Sequence, residues 1–376
     1  QWGAKATPKI VANVDGVQKR IFGWDVPAAS AEYRAFLEAV AYSLRHSMES
    51  TGEDLGEYIL LAGGVSKSPL WRQIFADVTG KFDASTFYEG PINSCTLDGV
   101  LYGIPFGSNC LALYYNEDVL AAAGCEVPTT WEELKEAALA LTVRDDAGNI
   151  TRAGFAFPMT GGNMVEYDVF VFGNGGLFMD EDSNPTLDTA EALEAFEFLE
   201  TFLADVNIPY DNNDTNPFIS GNAAMTLINN VALRPILENE EYAGKVGVSA
   251  PPTNGTAATF CGCNMLFIGR DCQHPEEAFD FITFALSPEI ELRRAEMLNV
   301  PVVRTSLLEE YNAMDPYNAV RSDCVQNGIS MPATVWSPQF MTIRNELIQK
   351  VLFGESDPAT ALSEAQEKLE EEIEFL

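Results

Sequence analysis

Cations are scarce in this chain: 22 Lys and Arg stand against 56 Asp and Glu among 376 residues, for a formal net charge of −34. So acidic a protein repels phosphate backbones and anionic headgroups, which excludes nucleic acid as a partner. Histidine is rarer still, with only His46 and His274, so the histidine pairs common in zinc sites are missing. No run of about 18 apolar residues occurs that could cross a bilayer as a helix. G-x-S-x-G, H-E-x-x-H, C-x-x-C and G-x-x-x-x-G-K-[ST] are all absent, which removes the serine elbow, the zinc-protease helix, the redox dithiol and the phosphate loop. Among 56 acids a glycosidase-like carboxylate pair is not excluded by counting, but no pattern marks one. Internal repeats and low-complexity stretches are missing too. The expectation is a protein that is not an enzyme and needs neither cofactor nor metal.

The seven cysteines, at 95, 110, 125, 261, 263, 272 and 324, are odd in number and too sparse for a disulfide scaffold, so at least one thiol stays free. Cys261 and Cys263 form a C-x-C around Gly262, better read as small residues in a strand than as half a metal site. Asp180, Asp182, Asn184, Thr186, Asp188 and Glu191 fall at the ligand spacing of a calcium loop. However, Pro185 occupies the position where that loop requires a glycine's sharp turn. The competing reading is a polar hairpin followed by a helix cap, with Asp188 reaching the turn that holds Glu191.

Length and an apolar fraction of 47% suffice for two core-forming units. Helical periodicity alternates with short apolar runs throughout, the signature of α/β architecture with sheets covered by helices. Residues 30–48 read as an amphipathic helix and 58–62 as a short strand. A helix with apolar positions at Leu193, Phe196, Leu199 and Phe202 spans 190–203. Residues 245–251 and 261–268 read as strands, while 275–286 and 288–298 are helices that open on Pro275 and Pro288. Two further helices cover 339–352 and 358–372. The densest passage is 101–134, LYGIPFGSNCLALYYNEDVLAAAGCEVPTTWEEL. It contains a strand at 102–106, a second at 111–115, a helix at 116–123 closed by Gly124, and a helix opened by a Thr130/Glu133 capping box.

That passage resembles the extracellular solute-binding proteins of ABC sugar importers, the maltose-binding-like family. There a YGIP strand leads into a YYN strand and then an AG...P.TWEEL helix. Further marks lie in order downstream: Asn174-Gly175-Gly176 after a long helix, Gly221-Asn222-Ala223-Ala224-Met225 opening a strand, and the proline turn at 299–302. The resemblance covers about residues 83–376. It implies an α/β, two-lobed periplasmic-binding-protein-like fold of type II whose lobes are joined by several crossovers. Lobe 1 would take 1–110 with 262–312, and lobe 2 would take 113–259 with 316–376. Such a protein closes by hinge bending on a neutral sugar or oligosaccharide and delivers it to the membrane permease of an ABC importer. It would act as a monomer, extracytoplasmic or lipid-anchored at the cell surface, its export signal removed or trimmed from this chain.

Sugars present apolar faces edged with hydroxyls, so their sites combine aromatic rings with directed Asn, Asp or Glu. By place in the family pattern the ligand-binding candidates are Trp24, Asp25, Ser108, Asn109, Asn163, Tyr167, Asn229, Asn230, Asn264 and Trp336. Asparagine dominates, which suits a neutral polyol, although asparagines in loops are also ordinary turn formers and Trp336 is equally an ordinary packing aromatic. Val231 stands where many relatives have a stacking tryptophan. Residues 31–80 make a separate resemblance. AEYRAFLEAVAYSLRHSME followed by LLAGGVSKSPLWRQIFADVTG is similar to the carboxy-terminal part of FGGY-type sugar kinases, carried by Gly63, Gly64, Ser68 and Trp71. A sugar kinase or its remnant is therefore the alternative reading. The rest of that superfamily's machinery is missing, and the segment serves equally as the helix, strand and helix that a first lobe needs.

Overall fold

The computed structural model describes residues 83–97, 100–229, 236, 245–269, 272 and 274–375. In chain order, helix α1 (Glu89–Ser94) leads to strands β1 (Thr96–Leu97), β2 (Val100–Leu101) and β3 (Ile104–Asn116), then helices α2 (Glu117–Ala123) and α3 (Trp131–Leu141). Next come β4 (Val143–Arg144), β5 (Ile150–Ala156), α4 (Val165–Gly173), α5 (Ala190–Glu200), α6 (Leu203–Val206), β6 (Ala223–Asn229), β7 (Val246–Ser249) and β8 (Thr259–Leu266). The remainder is α7 (Pro275–Ala285), α8 (Pro288–Leu298), α9 (Leu308–Met314), α10 (Asn318–Gln326), β9 (Gly328–Ile329), α11 (Ser337–Leu352) and α12 (Pro358–Ile373).

Strand β3 organises the sheet. The two strands expected at 102–106 and 111–115 are one continuous strand of 13 residues, because a partner is available along its whole length. Ile104 to Cys110 run antiparallel to β8, from Leu266 to Cys261. Beyond that point Leu111 to Tyr115 take β6, and Leu113 to Asn116 take β7 on the strand's other edge. Pro105 has no N–H to donate, and it lies beside the register shift between Pro105 and Gly107, where the ladder is already interrupted. The strand order is β4-β5-β6-β3-β8-β9, with β7 attached to β3. Pairs β5–β6 and β8–β9 are parallel and the others antiparallel, which gives a mixed, open sheet.

Local signals account for the helix ends. Asn116 caps α2 by accepting the Val119 N–H at 3.0 Å, and Gly124 closes it at φ 67°, a conformation that costs a glycine little. The Thr130/Glu133 capping box of α3 is present in both directions. Two expectations shift. Helix α5 is capped by Thr189, whose hydroxyl accepts the Ala192 N–H at 3.2 Å, and not by Asp188. The helix expected over 190–203 breaks after Glu200, where Phe202 adopts φ −144° and starts the separate α6.

The main core packs α3, α4, α5, α11 and α12 on one face of the sheet through Leu113, Trp131, Phe155, Phe196, Phe340 and Leu369. Its rings interlock, with Trp131 stacked 4.7 Å from Phe198 and Phe155 edge-on to Phe170 at 6.5 Å. Each fully buried aromatic of this kind contributes roughly 1.5–3 kcal/mol through area removed from water. A second cluster, with Cys110, Ala112, Tyr114, Phe218 and Cys324, fills the other face.

Candidate functional site

A cleft of about 670 Å³ opens between α1, which supplies Glu89 and Asn93, the hairpin that carries Phe178 and Ser183, and the strap 326–336 that ends at Trp336. Its walls mix rings with short polar side chains, and Thr96, Ser330 and Thr334 add hydroxyls. Two interactions fix the wall. Ser94 and Ser330 share a hydrogen bond at 2.5 Å, with Ser330 in turn donating to the Cys261 carbonyl at 2.9 Å. Trp336 donates its indole N–H to the Ser183 carbonyl at 3.2 Å and packs edge-on against Phe340. Only 3% of Trp336 is exposed, so it offers the cleft an edge rather than an open face.

Register brings three of the asparagines together. Antiparallel partners share a face of a sheet, and Asn109 pairs with Gly262, Gly107 with Asn264, and Leu111 with Asn229. Asn109, Asn264 and Asn229 therefore project from the same face along three adjacent strands. Asn229 and Asn264 are exposed. The Asn109 carbonyl oxygen is buried and accepts no hydrogen bond among the described residues. It lies where a side chain at 262 would be, since a Cβ on Gly262 would sit 2.2 Å from it.

Ser108 has the opposite parity and is a correction to the expected site: it is 1% exposed, points to the other face, and hydrogen-bonds Cys261 Sγ at 2.9 Å and the Gly262 carbonyl at 3.1 Å. Tyr167 is corrected as well. It is fully buried, stacked 4.0 Å from Phe196, with its hydroxyl donating to the Ala192 carbonyl at 3.1 Å. Helix α4 is wrapped on all sides, so a tyrosine near its start belongs to the core. Trp24, Asp25, Asn230 and the kinase-like segment 31–80 lie outside the described residues.

Asn163 is exposed and precedes α4, and a buried network holds it in place. Arg344, fully buried on α11, donates to Asn163 Oδ1 and to Asp168 Oδ2, both at 2.5 Å, and to Asn345 Oδ1 at 3.1 Å. Asn345 then donates to the Gly162 carbonyl at 2.7 Å. Glu166 lies in the same pocket, its carboxylate 3.5 Å from the Asn212 amide. Burial pushes Glu166 up to about 8, with Asp168 raising it further and Arg344 opposing. Burial likewise pushes Asp168 up to about 7, against the pull of Arg344. The sequence does carry a signal for this network: Glu166 and Asp168 interrupt an otherwise apolar VEYDVFVFG, and Arg344 sits on the apolar stripe of its helix.

The Asp180 hairpin uses its carboxylate internally. Asp180 Oδ1 accepts the Asp182 and Asn184 N–H groups at 2.9 and 2.8 Å, and Oδ2 accepts the Asn184 amide at 2.9 Å. These bonds hold Asp180 below the usual carboxylate range. This is the geometry of the polar hairpin.

Comparison with known proteins shows the family and the fold. The family model described as bacterial extracellular solute-binding protein matches residues 19–320, a span that includes 31–80. The chain is 25% identical over 333 residues to the putative ABC transporter periplasmic-binding protein YcjN of Escherichia coli K12, covering 81% of this chain and 75% of that protein. Among solved structures, maltose-bound T. maritima MalE3 superposes with a TM-score of 0.68 at 19% identity over 88% of both chains. The cyclic alpha-maltosyl-1,6-maltose binding protein of Arthrobacter globiformis gives 0.67 at 19% identity over 78% of both.

Proposed function

Because the chain belongs to the bacterial extracellular solute-binding proteins, we propose that it captures a neutral sugar or short oligosaccharide and presents it to the membrane permease of an ABC importer, without catalysing a reaction. Its fold is the type II periplasmic-binding-protein fold of the maltose-binding structures. The observation that carries the reading is the shared face of Asn109, Asn229 and Asn264 on the strands where β3 changes partners. Uncharged amides direct hydroxyls without demanding a charged ligand. Support also comes from the named ligands of the similar structures, which are maltose and a cyclic maltosyl-maltose.

On this reading lobe 1 takes 1–110 with 262–312 and lobe 2 takes 113–259 with 316–376. The switch of β3 from β8 to β6 and β7 after Cys110 falls at the proposed boundary. The cleft beside α1 and Trp336 is then the mouth that closes by hinge bending, losing water as it does so. Asn109, Asn229, Asn264 and Asn163 are the proposed polar contacts, and Trp336 closes the apolar side. The protein works as a monomer outside the cytoplasm.

Isothermal calorimetry with a panel of maltose, maltotriose, lactose and mannobiose, in the presence and absence of ATP, tests the proposal. Saturable heat from a sugar, independent of ATP and accompanied by a smaller scattering radius, is the expected outcome. ATP binding or turnover would overturn it in favour of the sugar-kinase reading.

A further inference from the structure

The thiols of Cys95 and Cys263 lie 3.9 Å apart across the seam between α1 and β8. We propose that these two residues form a disulfide under oxidising conditions, a cross-link that staples the α1 wall of the cleft to the central sheet.

The backbones at both ends are already held. Cys95 ends α1, donating its N–H to the Ile92 carbonyl at 3.0 Å and accepting the Tyr102 N–H at 2.8 Å. Cys263 stands in β8 opposite Ser108 of β3. Bonding distance is about 2.0 Å, so each sulfur needs to travel only about 1 Å, within reach of a side-chain rotation. Their exposures differ usefully: Cys95 is 2% exposed, whereas Cys263 is half-buried and reachable. The other close thiols are not reachable, since Cys110, Cys261 and Cys324 are all enclosed and Cys110 is spent on the Arg321 carbonyl at 3.6 Å. The family is extracellular, where disulfides persist.

The oxidant is a small disulfide, R–S–S–R. The Cys263 thiolate attacks one of its sulfurs, breaking the S–S bond and expelling RS⁻, to give a mixed disulfide. The Cys95 thiolate then attacks the Cys263 sulfur, forming the internal S–S bond and expelling the second RS⁻. Two protein thiols lose two electrons, R–S–S–R gains them, and the two released protons end on the two RS⁻ groups. The Cys95 neighbour and burial hold the Cys263 thiol well above its usual range, so the exchange is slow near neutrality and accelerates with pH.

The test incubates the full chain with oxidised glutathione at pH 7 and pH 8.5, alkylates it in denaturant, and maps peptides without reduction. A peptide pair joined through Cys95 and Cys263 is expected, two hydrogens lighter than its parts, forming several-fold faster at pH 8.5 and released by dithiothreitol. Cys95→Ser and Cys263→Ser each remove the linked pair, while Cys125→Ser leaves it. The wild-type map alone is decisive should a variant misfold. Full alkylation of all seven cysteines after oxidation would overturn the proposal, as would glutathione left on Cys263 or a link between other cysteines. None of these outcomes depends on whether the cleft binds a sugar.

Discussion

Glu166 and Asp168 are two positions apart at the start of α4, both buried, yet their removal has opposite expected effects. Among the described residues no cation touches Glu166, whose carboxylate meets the Asn212 amide at 3.5 Å, and its pKa rises from 4.5 to about 8 through burial. A carboxyl whose folded value lies above its unfolded value stabilises the fold fully below the unfolded value, and loses that contribution as pH rises toward the folded one. The window here runs from about pH 4.5 to pH 8. At pH 7 the unfolded chain has released this proton and the folded one retains it, a difference of about 2.5 pH units or roughly 3 kcal/mol. Glu166→Gln abolishes that pH-dependent loss, so at pH 7 the variant should be more stable than the parent by about 1–3 kcal/mol, the lower figure allowing for desolvation of the amide. Asp168 is the ionic partner of a fully buried arginine at 2.5 Å. Asp168→Asn leaves Arg344 without a counter-charge and should cost about 3–5 kcal/mol at pH 8, where Asp168 is ionised, and less at pH 5, below its value of about 7. Urea unfolding followed by tryptophan fluorescence at pH 5 and pH 8 reads both. A Glu166→Gln variant that loses the same stability at the two pH values, or an Asp168→Asn variant more stable than the parent, would refute the assignment of these roles.

Other perturbations follow from single contacts. Asn109→Ala removes a buried carbonyl oxygen that has no donor among the described residues, so stability should hold or rise by up to about 1 kcal/mol while calorimetric sugar affinity falls at least about tenfold; a loss of stability with unchanged affinity contradicts it. Gly154→Ala places a Cβ 1.8 Å from the Ala138 carbonyl, forcing β5 off α3 at a cost of about 2–3 kcal/mol in urea unfolding. Thr130→Ala removes the hydroxyl that accepts the Glu133 N–H and leaves the backbone N–H of residue 130 on the Glu133 carboxylate, so it should cost about 1 kcal/mol, with the m-value unchanged.

Local chemistry was legible at most helix ends, the cap of α5 at Thr189 rather than Asp188 excepted. Asn116, Gly124, Thr130 with Glu133, Pro275 and Pro288 all mark helix ends where they were expected. What the sequence could not convey was pairing. The first strand reads as ending at 106 because of Pro105, but β8 supplies Gly262 and Cys261 as partners for Asn109 and Cys110 and the strand continues. The same blindness misplaced two site residues. Ser108 and Asn109 are neighbours in sequence, so one must face the amide side and the other must not. Tyr167 stands on a helix with no exposed face, and only the packing of α5 over it could have revealed that. The Arg344 network escaped for a related reason, since its members at 163, 168 and 344 meet only after α11 folds back onto α4.

The amide cluster follows from arithmetic along the strands. Two of the three asparagines face glycine across the ladder, Asn109 against Gly262 and Asn264 against Gly107; Asn109 itself fills the space over Gly262, while the space over Gly107 beside Asn264 is left open. A sheet assembled only for stability would fill that space, because glycine in a strand interior weakens it. The electrostatics point the same way. With a net charge of −34, the chain repels an anionic solute as it approaches. Among the described residues the two most deeply buried arginines, Arg321 and Arg344, are 1% and 0% exposed, too enclosed to receive one. A neutral ligand rich in hydroxyls meets neither obstacle, and the exposed amide of Asn264 beside the open space at Gly107 suits it.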